Sequence, residues 1–367
     1  MIVVIVIIVL FALLVILHEW GHFITAKTSG VDVEEFGIGF PPKLWGAKVR
    51  GTLYTINLIM LGGFVRLKGE DADDTGPGTF GAASFGVKAK ILLAGVGMNL
   101  LTAFVILYVL CVVGIPGLGA QFEPSFLKST YAQPKQLILA QVEAGSPAAS
   151  AGLKRGEYVI SANGTTLVTD EALRDFTKAH AGQVVTFGVM SGSTVQNIPI
   201  KLRSPNTNDG YLGVVSQQVY KLKYDPLSAV VAAAYIVGSL FVATIVAVVQ
   251  LIINIPQLIV GLFSNSVPQA AEAASGPVGI VFILSSISAL GYSYIFLFMA
   301  NIAVALAAFN VLPLPALDGG RLALIAWQRF TRRRISADLE ARIHMAGFAA
   351  LIGLVLIISV YDLRKYF

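Results

Sequence analysis

Charged residues are scarce in this sequence. Asp, Glu, Lys and Arg make up 13% of the 367 residues and hydrophobic residues make up 56%, while the mean hydropathy is +0.76. A soluble globular chain carries about 25% charged residues. The composition therefore excludes an ordinary soluble protein and predicts a membrane protein, in which most of the apolar surface faces the lipid bilayer.

Cysteine and dense basic runs are also lacking. Cys111 is the single cysteine and lies in an apolar run, so a disulfide within the chain is excluded. The net charge of +5 is modest. No dense run of Lys and Arg is interleaved with aromatic residues in a polar segment, which argues against nucleic acid as a partner.

Long apolar stretches define the predicted membrane spans. The first runs from about Ile2 through His22, and we interpret it as a retained helix because neither a basic residue before it nor a small-residue cleavage site after it indicates a signal peptide. Three further spans are predicted, at about 91–113, 294–311 and 345–360. Residues 226–263 are also apolar, and they could lie along the interface or form a hairpin of two spans.

Basic residues predict the orientation of these spans. They are frequent between residues 28 and 87 and again between Arg321 and Arg342, so the positive-inside rule assigns both loops to the cytoplasm. Arg364 and Lys365 argue weakly against this orientation. Glu70 to Asp74 is interpreted as a solvated acidic turn. Residues 120–221 are richer in charge and predict a soluble domain on the opposite side of the membrane.

The segment from His18 to His22 carries the strongest chemical pattern. Residues four apart lie on one face of a helix, so His18 and His22 can reach one ion. Glu19 projects from the same helix, near enough to deprotonate a bound water, which is the chemistry of the H-E-x-x-H motif. Ionisable residues at the end of an apolar helix are costly in lipid and favour a functional site, although simple helix capping is the alternative.

A hydrolytic zinc site needs three protein ligands and an open position. Asp318 is the best candidate for the third ligand, because it is a carboxylate at the end of an apolar span on the same predicted side as His18. Pro313 and Pro315 break the helix just before it, and a helix cap is the alternative role for Asp318. His344 is interpreted as an interfacial residue and His180 as a surface residue.

The pairing of His18–His22 with Asn310–Gly320 resembles the site-2 protease family of intramembrane zinc metalloproteases, peptidase family M50. The closer likeness is to the bacterial regulator-of-sigma-E type. Gly95 and Asn99 match the family's G-x-x-x-N element. Residues 36–68 look like its membrane-re-entrant β-hairpin. Residues 138–204 resemble a single PDZ domain through the stretch Gly145–Glu157, although many relatives have Asp where Glu157 stands.

The resemblance implies a polytopic α-helical membrane protein of about four transmembrane helices, with a membrane-re-entrant β-hairpin and an inserted extracytoplasmic PDZ domain of α+β type. Residues 1–117 would form the first half of the protease core and residues 293–367 the second half. Residues 118–221 would be the extracytoplasmic region that contains the PDZ domain, and residues 222–292 would be interfacial or membrane helices.

The family also implies roles for individual residues. One Zn²⁺ would be bound by His18, His22 and Asp318, with Glu19 as the catalytic residue that activates water. Six residues would contact the substrate, namely Asn310, Tyr54, Ile56, Leu58, Gly62 and Gly63. Four residues would support the site structurally, namely Gly95, Asn99, Pro313 and Pro315.

The expected function is cleavage of transmembrane segments of single-span membrane proteins in the bacterial cytoplasmic (inner) membrane, with the active site towards the cytoplasm. Anti-sigma factors and remnant signal peptides are both open as substrates. The PDZ domain would gate or bind the substrate. The alternative from another class is a membrane-anchored PDZ scaffold with a vestigial metal site, which a damaged zinc motif would indicate.

Overall fold

The structure is a computed structural model, and it describes residues 2–70, 76–119, 121–132, 136–191, 194–204, 210–264, 268, 275–276, 278–280, 283, 287, 291–333 and 335–366. The chain divides into two compact units. The first comprises Met1–Tyr108, Ala233–Ser285 and Phe296–Phe367, and the second comprises Val109–Ala232 and Ser286–Ile295. Each unit is described separately below.

Helices in the described ranges account for most of the apolar sequence. They are α1 Ile2–Thr28, α2 Phe85–Val113, α3 Pro147–Ser150, α4 Asp170–Ala179, α5 Pro226–Ile253, α6 Ile255–Phe263, α7 Tyr292–Val311, α8 Asp318–Thr331 and α9 Ala337–Tyr366.

Five of the described helices, α1, α2, α5, α7 and α9, are long and apolar enough to cross a membrane. Four of them contain the predicted spans. The fifth, α5, is a continuous helix that ends at Ile253, just before the short helix α6. The sequence prediction of about four spans left this region unplaced, because a 28-residue apolar helix can lie along a bilayer or across it.

The polar end of α1 is fixed by a specific C-terminal turn. Gly30 has a φ of +79°, and the N–H of Val31 donates to the carbonyl of Ala26 at 3.0 Å, while the N–H of Gly30 donates to Lys27 at 3.4 Å. These two bonds form a Schellman motif. Ala26 and Val31 both lie in one buried apolar cluster. The helix therefore ends a few residues after His22, where the chain must turn into a sheet.

Strands β1 Val33–Val49 and β2 Thr52–Leu67 form an antiparallel sheet that is more folded than a simple hairpin. The first part of β1, residues 33–38, pairs with residues 63–67 on one side and with residues 53–56 on the other. The second part, residues 43–49, pairs with residues 52–57. The two strands thus make four short segments, and residues 63–67, here called the edge segment, lie at one edge.

The second unit contains a six-stranded sheet and a smaller three-stranded sheet. The larger sheet has the order β10-β5-β6-β8-β9, and β7 pairs with β6. Its strands are β5 Gln136–Val142, β6 Tyr158–Ala162, β7 Thr165–Thr166, β8 Val184–Ser191, β9 Thr194–Lys201 and β10 Val214–Val219. The smaller sheet joins β3 Ile115–Pro116, β11 Lys221–Lys223 and β4 Tyr131–Ala132 in the order β3-β11-β4.

The larger sheet has its own apolar core. Leu137, Leu139 and Phe187 are each fully buried in it. Ser146 caps α3 by accepting from the Ala149 N–H, and Thr169 caps α4 by accepting from the Ala172 N–H, both at 3.1 Å. A hydroxyl acceptor at these positions satisfies a backbone donor that the helix leaves free. This α+β unit contains residues 138–204, and its assignment as a PDZ domain stays a prediction.

Candidate metal centre

Three ligand-capable side chains meet at the polar end of α1. His18 Nε2 lies 3.1 Å from His22 Nε2, and the two nitrogens lie 3.2 Å and 3.3 Å from Asp318 Oδ2. Within the described residues these three form the one group of histidine, cysteine and acidic side chains compact enough to hold a metal ion. The separate sequence motifs that contain them therefore converge on one point.

The size of this triangle matches a zinc site. Ligand atoms at about 2.0–2.1 Å from a tetrahedral Zn²⁺ are about 3.3–3.4 Å apart, close to the three separations found here. Two imidazoles and one carboxylate are also a ligand set typical of hydrolytic zinc, which keeps its fourth position for water. The residues present thus fit one zinc ion with an open position.

Two glycines allow α1 and α2 to approach closely enough for this geometry. A Cβ atom on Gly21 would lie 2.6 Å from the carbonyl oxygen of Ala94, and a Cβ on Gly95 would lie 2.3 Å from His22 Nε2 and 2.5 Å from His18 Cε1. Neither position has room for a side chain. The predicted structural role of Gly95 is therefore to leave space for the two imidazoles.

Helix α2 also contacts the far side of both rings. His22 Nδ1 is 2.8 Å from the carbonyl oxygen of Ile91. Since a carbonyl only accepts, Nδ1 carries the proton and Nε2 keeps its lone pair for a metal. His18 Nδ1 is 3.1 Å from the amide of Asn99. The atom that faces Nδ1 is Nδ2 of Asn99, while Asn99 Oδ1 is buried without a partner among the described residues. Turning this amide by 180° would give Oδ1 a partner in Nδ1–H and would give His18 the same metal-binding tautomer.

Asp318 is delivered by a tight loop between α7 and α8. It is the first residue of α8, and Gly319 and Gly320 follow it. Cβ atoms there would lie 2.4 Å from the carbonyl oxygens of Val311 and Leu312 and 1.9 Å from that of Leu314. The loop folds back onto the start of α8, which only glycine permits.

Asp318 Oδ2 is buried without a hydrogen-bond partner among the described residues, and it faces the two imidazole nitrogens at 3.2 Å and 3.3 Å. A metal ion between these three atoms would give the carboxylate the partner that it lacks. An ionised carboxylate is the form that binds a metal.

Glu19 lies between the metal ligands and the edge segment. A Cβ atom on Gly63 would be 3.7 Å from Glu19 Cγ. Gly62 has a φ of +146°, and a Cβ atom on it would lie 3.2 Å from Cγ1 of Val15 in α1. The two predicted substrate-binding glycines thus bring β2 against α1 beside the predicted catalytic carboxylate.

The other predicted substrate-binding residues are placed differently. Tyr54 and Ile56 are paired on both sides, because each has one partner in residues 33–38 and another in residues 43–49. Their backbone groups leave no edge for a further strand. Leu58 is 57% exposed. Asn310 lies in the last turn of α7, and Pro313 and Pro315 lie in the loop that leads to Asp318.

An ion pair joins the end of β2 to α8. The Arg321 guanidinium contacts the carboxylate and the carbonyl oxygen of Glu70 and stacks 5.1 Å from the ring centre of Phe80. Glu70 also accepts from the Leu67 N–H at 3.0 Å. The sequence indicated that Glu70 belongs to a solvated turn, and for Glu70 this prediction is wrong, because its carboxylate is bonded to Arg321 and to Leu67. Residues 71–75 of the same predicted turn lie outside the described residues.

A cavity of about 430 Å³ opens beside Asp318. Its polar lining includes Glu70, Arg321, Glu340 and His344. His344 was interpreted from the sequence as an interfacial residue, yet its ring contacts the loop before Asp318. Sequence reasoning missed both this contact and the Arg321 pair, since no local spacing pattern marks contacts between distant segments.

These features define a class: a multi-pass membrane protein with a zinc-type His–His–Asp centre and an adjacent half-buried glutamate. The sequence model of peptidase family M50 matches residues 6–354. The chain belongs to peptidase family M50 and is a zinc metalloprotease.

The relatives agree with this family. A protein of Clostridium acetobutylicum, provisionally named a zinc metalloprotease, is 28% identical, with 96% of this chain and 94% of the relative covered. Zinc metalloprotease RasP of Geobacillus kaustophilus is 26% identical over 98% of this chain and 97% of its own. Regulator of sigma-W protease RasP of Bacillus subtilis is 24% identical over 98% of each chain. The scaffold alternative loses its support, because the zinc motif is undamaged.

Gly95→Ala is expected to lower zinc affinity by about tenfold or more, because the added methyl group would displace both imidazoles. Alanine favours a helix over glycine, so weaker helix formation cannot explain a loss. Zinc retention against a chelator, measured on the purified full-length protein, checks the prediction. Gly97→Ala on the same helix is the matched control, because a Cβ there meets no atom within 4 Å. Equal zinc retention in both variants would contradict the role of Gly95.

Proposed function

We propose that this zinc metalloprotease cleaves the transmembrane segments of single-span membrane proteins within or at the edge of the bilayer. The observation that supports this most directly is the location of the His18, His22 and Asp318 cluster. His18 and His22 lie in the polar part of α1, and Asp318 follows α7 after a short loop. Both of these helices are long and apolar enough to span a membrane. A metal centre built there would act on peptide bonds at membrane depth.

In the proposed mechanism His18, His22 and Asp318 hold the zinc ion, and Glu19 is the general base. Zinc, when bound, supplies Lewis acidity and lowers the pKa of a bound water. Glu19 accepts a proton from the attacking water through its carboxylate and then donates it to the nitrogen of the leaving amine. The Ile91 carbonyl holds His22 in the tautomer that this arrangement needs, and Asn99 would do the same for His18 with its Oδ1 turned towards Nδ1.

The substrate must be extended before it can be cut, because a helix has no free backbone groups to present. We place substrate pairing at the edge segment, beside Gly62 and Gly63, since no other described strand covers its outer side. Addition of a strand there supplies hydrogen-bond partners for an unwound backbone, which is costly to leave bare in lipid. Leu58 and Asn310 are proposed to contact the substrate side chains, with Tyr54 and Ile56 supporting the sheet from within.

The proposed location is a bacterial cytoplasmic membrane, with the metal centre towards the cytoplasm. Helices α1 and α7 both run towards the metal centre, so they would cross in the same direction and α2 in the opposite one. An even number of crossings must then lie between α2 and α7. Helix α5 therefore either lies along the interface or is followed by a return crossing before Tyr292.

The α+β unit of residues 136–219 is proposed to be a single extracytoplasmic PDZ domain that gates or binds the substrate. Strand addition at an exposed sheet edge is a common mode of peptide recognition. The name of the Bacillus subtilis relative, a regulator of sigma-W protease, favours a membrane-bound anti-sigma factor as the substrate class. No observation here favours remnant signal peptides in particular.

Glu19→Gln is expected to leave zinc bound and to reduce cleavage by at least about 10²-fold, because the general base is lost while all ligands remain. Cleavage of a single-span reporter protein by the purified enzyme, together with metal analysis, is the measurement. Glu34→Gln, at an exposed carboxylate of β1, is the control. Wild-type cleavage by Glu19→Gln would refute the assignment of Glu19.

Asp318→Ala is expected to lower zinc content and to abolish cleavage, because two imidazoles alone bind zinc more weakly than three protein ligands do. Metal analysis after dialysis against a weak chelator measures the effect. An unchanged content of one zinc ion per chain would show that the third ligand comes from another residue.

The proposed orientation predicts opposite accessibility for two exposed sites. After Cys111, the single cysteine, is replaced by Ala, Arg155→Cys should react with a membrane-impermeant maleimide in intact spheroplasts. Arg333→Cys should react only after the membrane is permeabilised. The physical reason is the positive-inside rule, which assigns the basic loop of Arg333 to the cytoplasm. The reverse pattern of labelling would overturn the proposed topology.

A further inference from the structure

The loop that delivers Asp318 contains a backbone conformation that needs outside support. Ala316 has a φ of +75°, in the left-handed region that residues with a Cβ atom adopt rarely. Such a residue persists where the surrounding structure holds it in place. Ala316 is two residues from Asp318, so a contact that holds Ala316 also restrains the backbone that carries the carboxylate.

Helix α9 provides that support from a distant part of the sequence. The N–H of Ala316 donates to Nδ1 of His344 at 2.9 Å. A Cβ atom on Gly347 would lie 2.3 Å from Cβ of Pro315, so the backbone of α9 packs directly on the loop. His344 and Gly347 are three residues apart and share one face of the helix. Two adjacent loop residues are thus contacted by one face of α9.

The hydrogen bond defines the chemical state of the His344 ring. Since Nδ1 accepts a backbone N–H, it carries no proton, and in the neutral ring the proton sits on Nε2. Nε2 is buried without a partner among the described residues. His344 is also absent from the compact group of ligand atoms formed by His18, His22 and Asp318. Among the described residues, the bond to Ala316 is the hydrogen bond that connects this ring to the metal centre.

We propose that His344 is a positioning residue of the metal centre, which holds Ala316 by its Nδ1 atom and thereby orients Asp318 towards the two imidazoles. This inference rests on the proposed role of Asp318 as a zinc ligand. Residues that orient metal ligands without touching the metal commonly change metal affinity by about 10–100-fold when they are replaced.

The test distinguishes the effect of the hydrogen-bond acceptor of His344 from the effect of the size of its side chain. His344→Leu keeps an apolar side chain of similar size but removes the acceptor, and it should release zinc to a chelator about tenfold more readily than the wild type. His344→Asn places Oδ1 the same number of bonds from the backbone as Nδ1, and it should restore most of the zinc retention. Zinc retention is measured on the full-length protein in detergent, with Met345→Leu, a 72% exposed neighbour, as the matched control.

Two results would overturn the inference. One is wild-type zinc retention in His344→Leu, and the other is an equal loss in His344→Leu and His344→Asn, since then the acceptor would not be the cause. Parallel measurement of zinc retention in Asp318→Ala distinguishes a failure of the inference about His344 from a failure of the proposed function. If Asp318→Ala loses zinc and His344→Leu does not, the inference about His344 fails alone. If Asp318→Ala retains zinc, the proposed ligand set fails.

Hydrogen exchange gives a second measurement that needs no variant. The Ala316 amide should exchange slowly in the wild-type protein, because its hydrogen is bonded to His344. Exchange at the rate of an unprotected amide would overturn the inference even if His344→Leu could not be purified in a folded form. Gly347→Ala should speed this exchange, because the added methyl group pushes α9 away from Pro315.

Discussion

The contact between the backbones of α1 and α2 is the constraint on which the metal centre depends. Ile91, Gly95 and Asn99 are spaced four residues apart, so they form one stripe along α2. Gly95, in the middle, leaves room for both imidazoles. Ile91 contacts the ring of His22, and Asn99 contacts the ring of His18. A side chain at Gly95 would therefore remove the space for the rings and their outer hydrogen bonds together.

A second constraint is the cost of placing ionisable groups among apolar helices. A buried charge is tolerated where it is paired or binds a metal, and here each member of the cluster contacts the other two. Because Asp318 comes from a distant segment, its position requires further contacts. Gly319 and Gly320 let the loop fold back onto α8, and Arg321 and His344 attach that region to Glu70 and α9.

The sequence was more informative about the residues that carry the chemistry of the site than about the contacts between distant segments that hold those residues in place. Helical spacing is enough to pair His18 with His22, and the end of an apolar span is enough to single out Asp318. The partner of Glu70 is 251 residues away, and no periodicity reports such a contact. The pairing of Tyr54 and Ile56 on both sides was also hidden, because register shifts along β1 and β2 let one strand pair with two segments.

The ion pair between Glu70 and Arg321 connects the two halves of the proposed reaction. Glu70 lies three residues after the edge segment and accepts from the Leu67 N–H, whereas Arg321 lies one turn after Asp318. If the substrate adds to the edge segment, the strand that receives it and the helix that carries the third ligand are joined by this pair. A peptide bound there and the third metal ligand would then be connected by contacts within the protein itself.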